Sequence, residues 1–306
     1  MTRKENSVVN KLESSIKVYD FMRWSFIAFS SSVILFLASI IVIFMQGFNW
    51  GLDFTGGTIV ELHLEQTIDI DQIRKAIEQS GFKEAIVQNF GSSQDIIVRM
   101  PFMANNIERK ITSVVNEVTQ QNITVKRVEV VGPSVSNDLL QTGSIALLLA
   151  IICIFIYVIF RFEWRLATGT VLALIHDVVI TLGLLSVFKI EIESTIIASL
   201  ISVIGYSLND SIVVSDRIRE NFRVISSSNT YDLFNISITQ VLNRTIITSV
   251  ITMTVVLILI IFGGSMLRSF SITLFIGVLI GTISSIYVAS ALALKLGIKR
   301  EHIIAS

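Results

Sequence analysis

The chain has 306 residues, 52% of them hydrophobic and 16% charged, where an ordinary globular chain carries about 25% charged residues. A mean hydropathy of +0.72 excludes a disordered or wholly soluble protein. The 24 basic and 24 acidic residues cancel, so no net field points to nucleic acid, and the single Cys153, in an apolar run, excludes an internal disulfide and a cysteine-built metal site.

Residues 1–25 form a polar tail, expected on the cytoplasmic side. Six apolar stretches follow that are long enough to cross a ~30 Å hydrocarbon core as helices: Phe26–Phe48, Leu139–Phe160, Leu166–Phe188, Ile196–Val214, Ile246–Phe262 and Phe270–Leu294. The first lacks the short apolar core and small-residue cleavage site of a secretory leader, so residues 26–48 read as an uncleaved span.

Residues 49–137 are too polar to span and too patterned for a linker. Alternation over Thr58–Glu65 predicts a strand, and DQIRKAIEQSG predicts an amphipathic helix capped at Gly81. EAIVQNF and DIIVRM flank GSSQ as a hairpin, Asn105–Gln121 is a second helix, and ITVKRVEVV a closing strand. The order βαββαβ predicts a small α+β ferredoxin-like domain. His63 stands alone in this reading and is taken as structural. Spans two to six occupy residues 138–294, with 215–245 expected as a cytoplasmic loop and 295–306 as a cytoplasmic tail. The fold class is a polytopic α-helical membrane protein of six spans with one small α+β domain.

Orientation follows from the basic residues. Arg3, Lys4, Lys11, Lys17 and Arg23 precede the first span; Arg161 and Arg165 follow the second; Arg217, Arg219, Arg223 and Arg244 follow the fourth; Lys295, Lys299 and Arg300 follow the sixth. The opposite ends carry only Lys189 and Arg268, which puts both termini in the cytoplasm and residues 49–137 outside.

No GxxxxGK[ST], GxSxG, HExxH or zinc spacing occurs. The chain therefore reads as a non-enzyme without cofactor or metal, working on energy from a partner or an ion gradient. GLDFTGGT (Gly51–Thr58) and VGPSVS (Val131–Ser136) bracket the α+β domain. Their Gly51, Asp53, Gly56, Gly57, Gly132 and Pro133 read as junctions between domain and membrane.

Within the membrane, Asp210 in GYSLNDSIVVSDRIREN is the sharpest residue. A lipid-facing carboxylate costs ~2.5–3.5 kcal/mol, so Asp210 is expected to face inward beside Ser207 and Asn209. Arg244, Thr245, Thr248, Ser249 and Thr252 form a polar stripe on the fifth span, which reads as a hydrated path or as helix packing. His176-Asp177 lies mid-way along the third span; at 100° apart the two are not expected to share a partner easily. Gly277, Gly281, Ser284 and Ser285 in the sixth read as close packing. Half a pseudo-symmetric bundle is expected to expose the polar face of its fourth and fifth spans unless a second half covers it.

Taken in order, GLDFTGGT, VGPSVS, HDV, GYSLNDSIVVSDRIREN, NRTIITS and GTISSIYVAS resemble the SecD/SecF family of bacterial protein-export translocase subunits, within the resistance-nodulation-division (RND) superfamily. Ser215 departs from the family, which usually has Phe there; it is expected at the cytoplasmic edge. The resemblance implies an inner-membrane subunit that works with SecD, the SecYEG channel, membrane lipid and translocating preproteins, with protons as the coupling ion. It implies Asp210 and Arg244 as the proton-pathway pair, with Asp177, His176, Asn209 and Thr248 as further candidates. Six spans are half of the superfamily's usual twelve; a separate SecD would supply the rest. Half of a small-solute or lipid exporter, and a passive assembly scaffold, are the competing readings.

Overall fold

The computed structural model describes residues 18–82, 84–90, 92–101, 107–225 and 229–304. The elements are α1 (Ser25–Gln46), β1 (Gly57–Leu64), α2 (Ile70–Gln79), β2 (Ile86–Phe90), β3 (Ser92–Met100), α3 (Ile107–Thr119), β4 (Ile123–Val131), α4 (Pro133–Arg161), α5 (Trp164–Val187), α6 (Ser194–Val224), α7 (Thr230–Phe262), α8 (Gly264–Ser284), α9 (Ser290–Lys295) and α10 (Arg300–Ile304). They divide into an α+β unit, Trp50–Ile145, and a membrane unit formed by the rest.

In the α+β unit the strands form one antiparallel sheet in the order β2-β3-β1-β4, the arrangement expected of a ferredoxin-like βαββαβ chain. Alternation puts Val60, Leu62 and Leu64 of β1 and Ile96 and Val98 of β3 on one face, where Ile73 and Ile77 of α2 and Ile111 and Val115 of α3 cover them. Asp69 caps α2 by accepting from the Asp71 amide at 3.1 Å, and Gly81 ends it at φ +100°. The expected helix start at Asn105 falls outside the described residues. On the other face, His63 is not alone. Its Nδ1 lies 2.6 Å from Asp95 Oδ1, which also accepts from Lys126 Nζ at 2.6 Å, while Ser92 Oγ donates to Asp95 Oδ2 at 2.9 Å. The Lys126 hydrogen bond, aided by His63 and Ser92 against a burial penalty, holds the Asp95 carboxyl down at about 2.

Among the described residues, six helices are long and apolar enough to cross a bilayer. The apolar windows of α5 and of the helix beginning at Leu267 are half buried, those of α1 and α4 only 6%; α5, α6 and α8 therefore form the core of this unit. Close approach needs small residues here: a Cβ added at Gly277 would lie 2.2 Å from Val203 Cγ2.

The expected loop 215–245 is largely helix. The α6 and α7 helices, with 31 and 33 residues, run roughly 46 and 50 Å and are joined by residues 225–229 alone. Ser215, expected at an edge, is buried along α6. The ends of α6 and α7 at this connection bury Phe222, Leu233, Phe234 and Ile238 together, and polar and charged side chains there cross-link helices. Arg161 donates to Asp216 at 2.8 Å, Arg217 Nε to Gln240 at 2.6 Å and Asn221 Nδ2 to Ser237 at 2.8 Å. Just before α1, Asp20 accepts from Tyr231 Oη at 2.8 Å and Asn235 Nδ2 at 3.0 Å, and the Tyr231 bond keeps its carboxyl below the usual range.

Candidate functional site

The α6–α7 hairpin brings the leading candidates to one level. Asp210 lies fourteen residues before Val224 (224 − 210), and Arg244 fourteen residues after Thr230 (244 − 230), so both sit about 21 Å from the turn. Asp210 is 2% exposed, and its Oδ2 has no hydrogen-bond partner. Beside it in sequence Ser211 Oγ, and on α7 Thr245 Oγ1, are likewise buried and unpartnered. The Arg244 side chain is exposed, and although its charge acts on Asp210, the two do not come within the 4.0 Å of an ion pair. A buried carboxylate normally has its donors in place; this one has a vacant oxygen and a cation within electrostatic reach.

Asp210 faces inward as expected, while the fourth and fifth spans leave part of their polar face uncovered. The fold of this chain buries both Asp210 and Asp177; Arg244 and Asn209 are the exposed groups. Asn209 therefore does not share the Asp210 environment. Thr248 is occupied by its own helix, donating to the carbonyls of Arg244 and Thr245 at 3.0 Å each. Of the rest of the stripe, Ser249 bridges helices: Tyr206 Oη of α6 donates to Ser249 Oγ of α7 at 3.2 Å, which lies 2.8 Å from Thr282 Oγ1 of α8.

Asp177 is the opposite case. It is 1% exposed on α5, and its Oδ2 accepts from Ser207 Oγ of α6 at 2.5 Å and from Ser284 Oγ of α8 at 2.6 Å. Its Oδ1 lies 2.9 Å from His176 Nδ1, so the adjacent pair does meet despite the 100° between them. The His176 ring stacks on Phe36 of α1, with centroids 6.2 Å apart, and its buried Nε2 has no partner. A π-helical turn, Ser285–Ala289, follows Ser284 directly. Such turns concentrate at functional sites, and nothing in the residue pattern of GTISSIYVAS announces one.

The junction motifs meet within the α+β unit. Gly56 and Gly57 adopt φ of +67° and +132°, and a Cβ on Gly57 would lie 2.6 Å from Met100 O. Both positions therefore require glycine. A Cβ on Gly56 would lie 3.3 Å from Ser136 Oγ and 3.6 Å from Pro133 Cα, so GLDFTGGT and VGPSVS pack on one another. Gly51 accepts from Thr55 Oγ1 at 3.0 Å, closing a helical turn over Leu52–Thr55 that contains Asp53. Gly132 precedes Pro133, which opens α4 at the position where a missing N–H costs nothing.

Residues 110–299 match the family model described as protein export membrane protein SecD/SecF, C-terminal, and residues 41–68, which include Gly56-Gly57, match the SecD/SecF GG motif. The chain is 58% identical to protein translocase subunit SecF of Escherichia coli O157:H7 over 97% of this chain and 93% of that one. It is 47% identical to protein translocase subunit SecF of Vibrio alginolyticus over 94% and 92%. A crystal structure of SecDF, a translocon-associated membrane protein from Thermus thermophilus, aligns with a TM-score of 0.83 at 36% identity, covering 91% of this chain. This chain spans 38% of the length of that SecDF chain.

Proposed function

The chain belongs to the SecD/SecF family of protein export membrane proteins, and from that premise we propose that it is an accessory subunit of the Sec protein translocase. Together with SecD it uses the proton-motive force to promote passage of preproteins through the SecYEG channel and across the bacterial inner membrane. Its relationship to subunits named for translocation, at 58% and 47% identity over nearly full length, supports the translocase role. The 38% coverage of a SecDF chain supports SecD as the partner that completes the assembly.

One observation carries the proton-coupled part: Asp210 is a buried carboxylate with a vacant oxygen, level with an exposed Arg244. Two states follow from its chemistry. Ionised, Asp210 draws in the Arg244 guanidinium; protonated, it releases it. Switching between them shifts α6 against α7. Each proton crossing 100 mV supplies ~2.3 kcal/mol, enough to bias a two-state element about fiftyfold. The helices then pull on the α+β unit through Gly51–Thr58 and Val131–Ser136, where paired glycines permit the bend. Protons are the coupling ion, and no bound cofactor or hydrolytic step is required.

The basic residues support cytoplasmic termini and a periplasmic α+β unit. With Cys153 replaced by serine, a cysteine at Ser92 should react with an impermeant thiol reagent from outside the inner membrane, and one at Glu301 only after that membrane is breached; reversed labelling would overturn the orientation. The function is tested by preprotein translocation into inverted vesicles with and without a proton gradient. The Asp210→Asn chain should assemble with SecD normally and lose the stimulation by the gradient.

A further inference from the structure

Asp177 plays no part in the two-state scheme above, yet three side chains engage its carboxylate inside the membrane unit. Its Oδ2 takes two hydroxyl hydrogen bonds from two different helices, Ser207 on α6 and Ser284 on α8, while His176 engages Oδ1. Ser207 stands three residues before Asp210, about 4.5 Å along the same helix. Whatever holds Ser207 therefore sets the rotation and height of the turn that carries Asp210. There is little slack at this point: a Cβ added to Gly281 of α8 would lie 3.0 Å from Ser207 Cβ. On α8 the hub bonds the last residue before the π-helical turn, whose final residue is itself seated on α5, since a Cβ on Gly169 would lie 2.7 Å from Ala289 O.

We propose that Asp177 is a positioning residue for the proton-coupled step, holding Asp210 in register through Ser207 while binding the π-helical segment of the last span through Ser284. The proposal rests on the reading of Asp210 as the coupling carboxylate. A hydroxyl held by a fixed carboxylate resists rotation of α6, so a change of partner at Asp210 is passed to α8 as strain on the shared Oδ2 atom. The titratable groups on the segments packed against α5 around this hub are His176 on α5 itself, Tyr206 and Asp210 on α6, and Tyr287 in the π-helical turn. The α1 span carries none, and Arg268 and Lys295 lie toward the two ends of the sixth span.

The test uses the full chain with its SecD partner in inverted vesicles. Gradient-driven translocation is measured across a pH series for the parent, Ser207→Ala, Asp177→Asn, the double variant and Asp210→Asn, each normalised to the amount of assembled complex. Ser207→Ala removes one oxygen and leaves the packing in place. It should displace the midpoint of the pH profile and reduce the gradient-driven rate by about tenfold, the scale of a lost hydrogen bond to a charged group. Added to Asp177→Asn it should do little more, because both break the same contact. An unmoved midpoint in Ser207→Ala, or fully additive effects in the double variant, overturns the positioning role while leaving Asp210 as the coupling residue. Retention of the gradient response by Asp210→Asn overturns the underlying reading instead.

Discussion

Two buried carboxylates one helix apart stand in opposite surroundings. Asp177 on α5 accepts from Ser207, Ser284 and His176, whereas Asp210 on α6 has an oxygen with no donor at all. Both are almost fully removed from solvent, at 1% and 2% exposure, so burial does not distinguish them. What differs is satisfaction. A carboxylate with its acceptors filled is anchored in one state. One with a vacancy lacks the donors that fix a carboxylate in its ionised form, and can therefore change state. The contrast separates an anchor from a switch using residue types that look equivalent in the chain.

Activity and stability should rank the two residues in opposite order, and that is the strongest way to break the comparison. Asp210→Asn should abolish gradient-stimulated translocation with the complex intact. Asp177→Ala strands the Ser207 hydroxyl, a buried group worth ~1–3 kcal/mol when unpaired, and cuts the tie from α5 to Ser284 of α8, so it should lower the melting temperature of the purified complex far more than Asp210→Ala does. Equal thermal shifts for the two alanine variants would erase the distinction.

A smaller effect sharpens it at the junction. Gly57→Val forces a branched residue to φ +132° against the Met100 carbonyl. A strain of ~1–3 kcal/mol should destabilise the α+β unit, seen as faster hydrogen exchange in β1 and β3, without changing the melting of the membrane helices.

The smallest effect contrasts a solvated carboxylate with the two buried ones. Asp95 is held down at about 2 from an ordinary 3.8, chiefly by the Lys126 hydrogen bond. A depressed carboxyl adds stability above its unfolded value, near ~4, and loses it as pH falls toward 2. The contribution is that of a surface pair, below ~1 kcal/mol. Unfolding of residues 50–145 should therefore lose stability between pH 4 and 2, and Asp95→Asn should flatten that part of the curve.

Much of this was legible in the chain. Period-two alternation in GTIVELHL and ITVKRVEVV, and the 3.6-residue pattern of DQIRKAIEQ, announced the α+β unit, because a sheet face and a helix stripe each have one way to bury their apolar residues. Asp210 and Arg244 stood out because a charge inside a membrane is costly wherever it occurs. Hydropathy marks only where lipid stops, so it does not show how far α6 and α7 run on as helix beyond the apolar stretches, as they do through Val224 and from Thr230. The Asp177 hub was not legible. Ser207 and Ser284 lie 30 and 107 residues from it; Ser207 reads as a neighbour of Asp210 and Ser284 as small-residue packing until the helices are in place. Nor can the chain alone tell a satisfied carboxylate from a vacant one, or locate the π-helical turn beside Ser284.

The central claim is that Asp210 itself takes up and releases the proton. Infrared difference spectra of the lipid-embedded complex, recorded across a pH step, observe this directly through the carboxyl C=O stretch. A carboxylic-acid band should appear on acidification, disappear on return to alkaline pH, and be missing in Asp210→Asn. A band that persists unchanged in Asp210→Asn would contradict it.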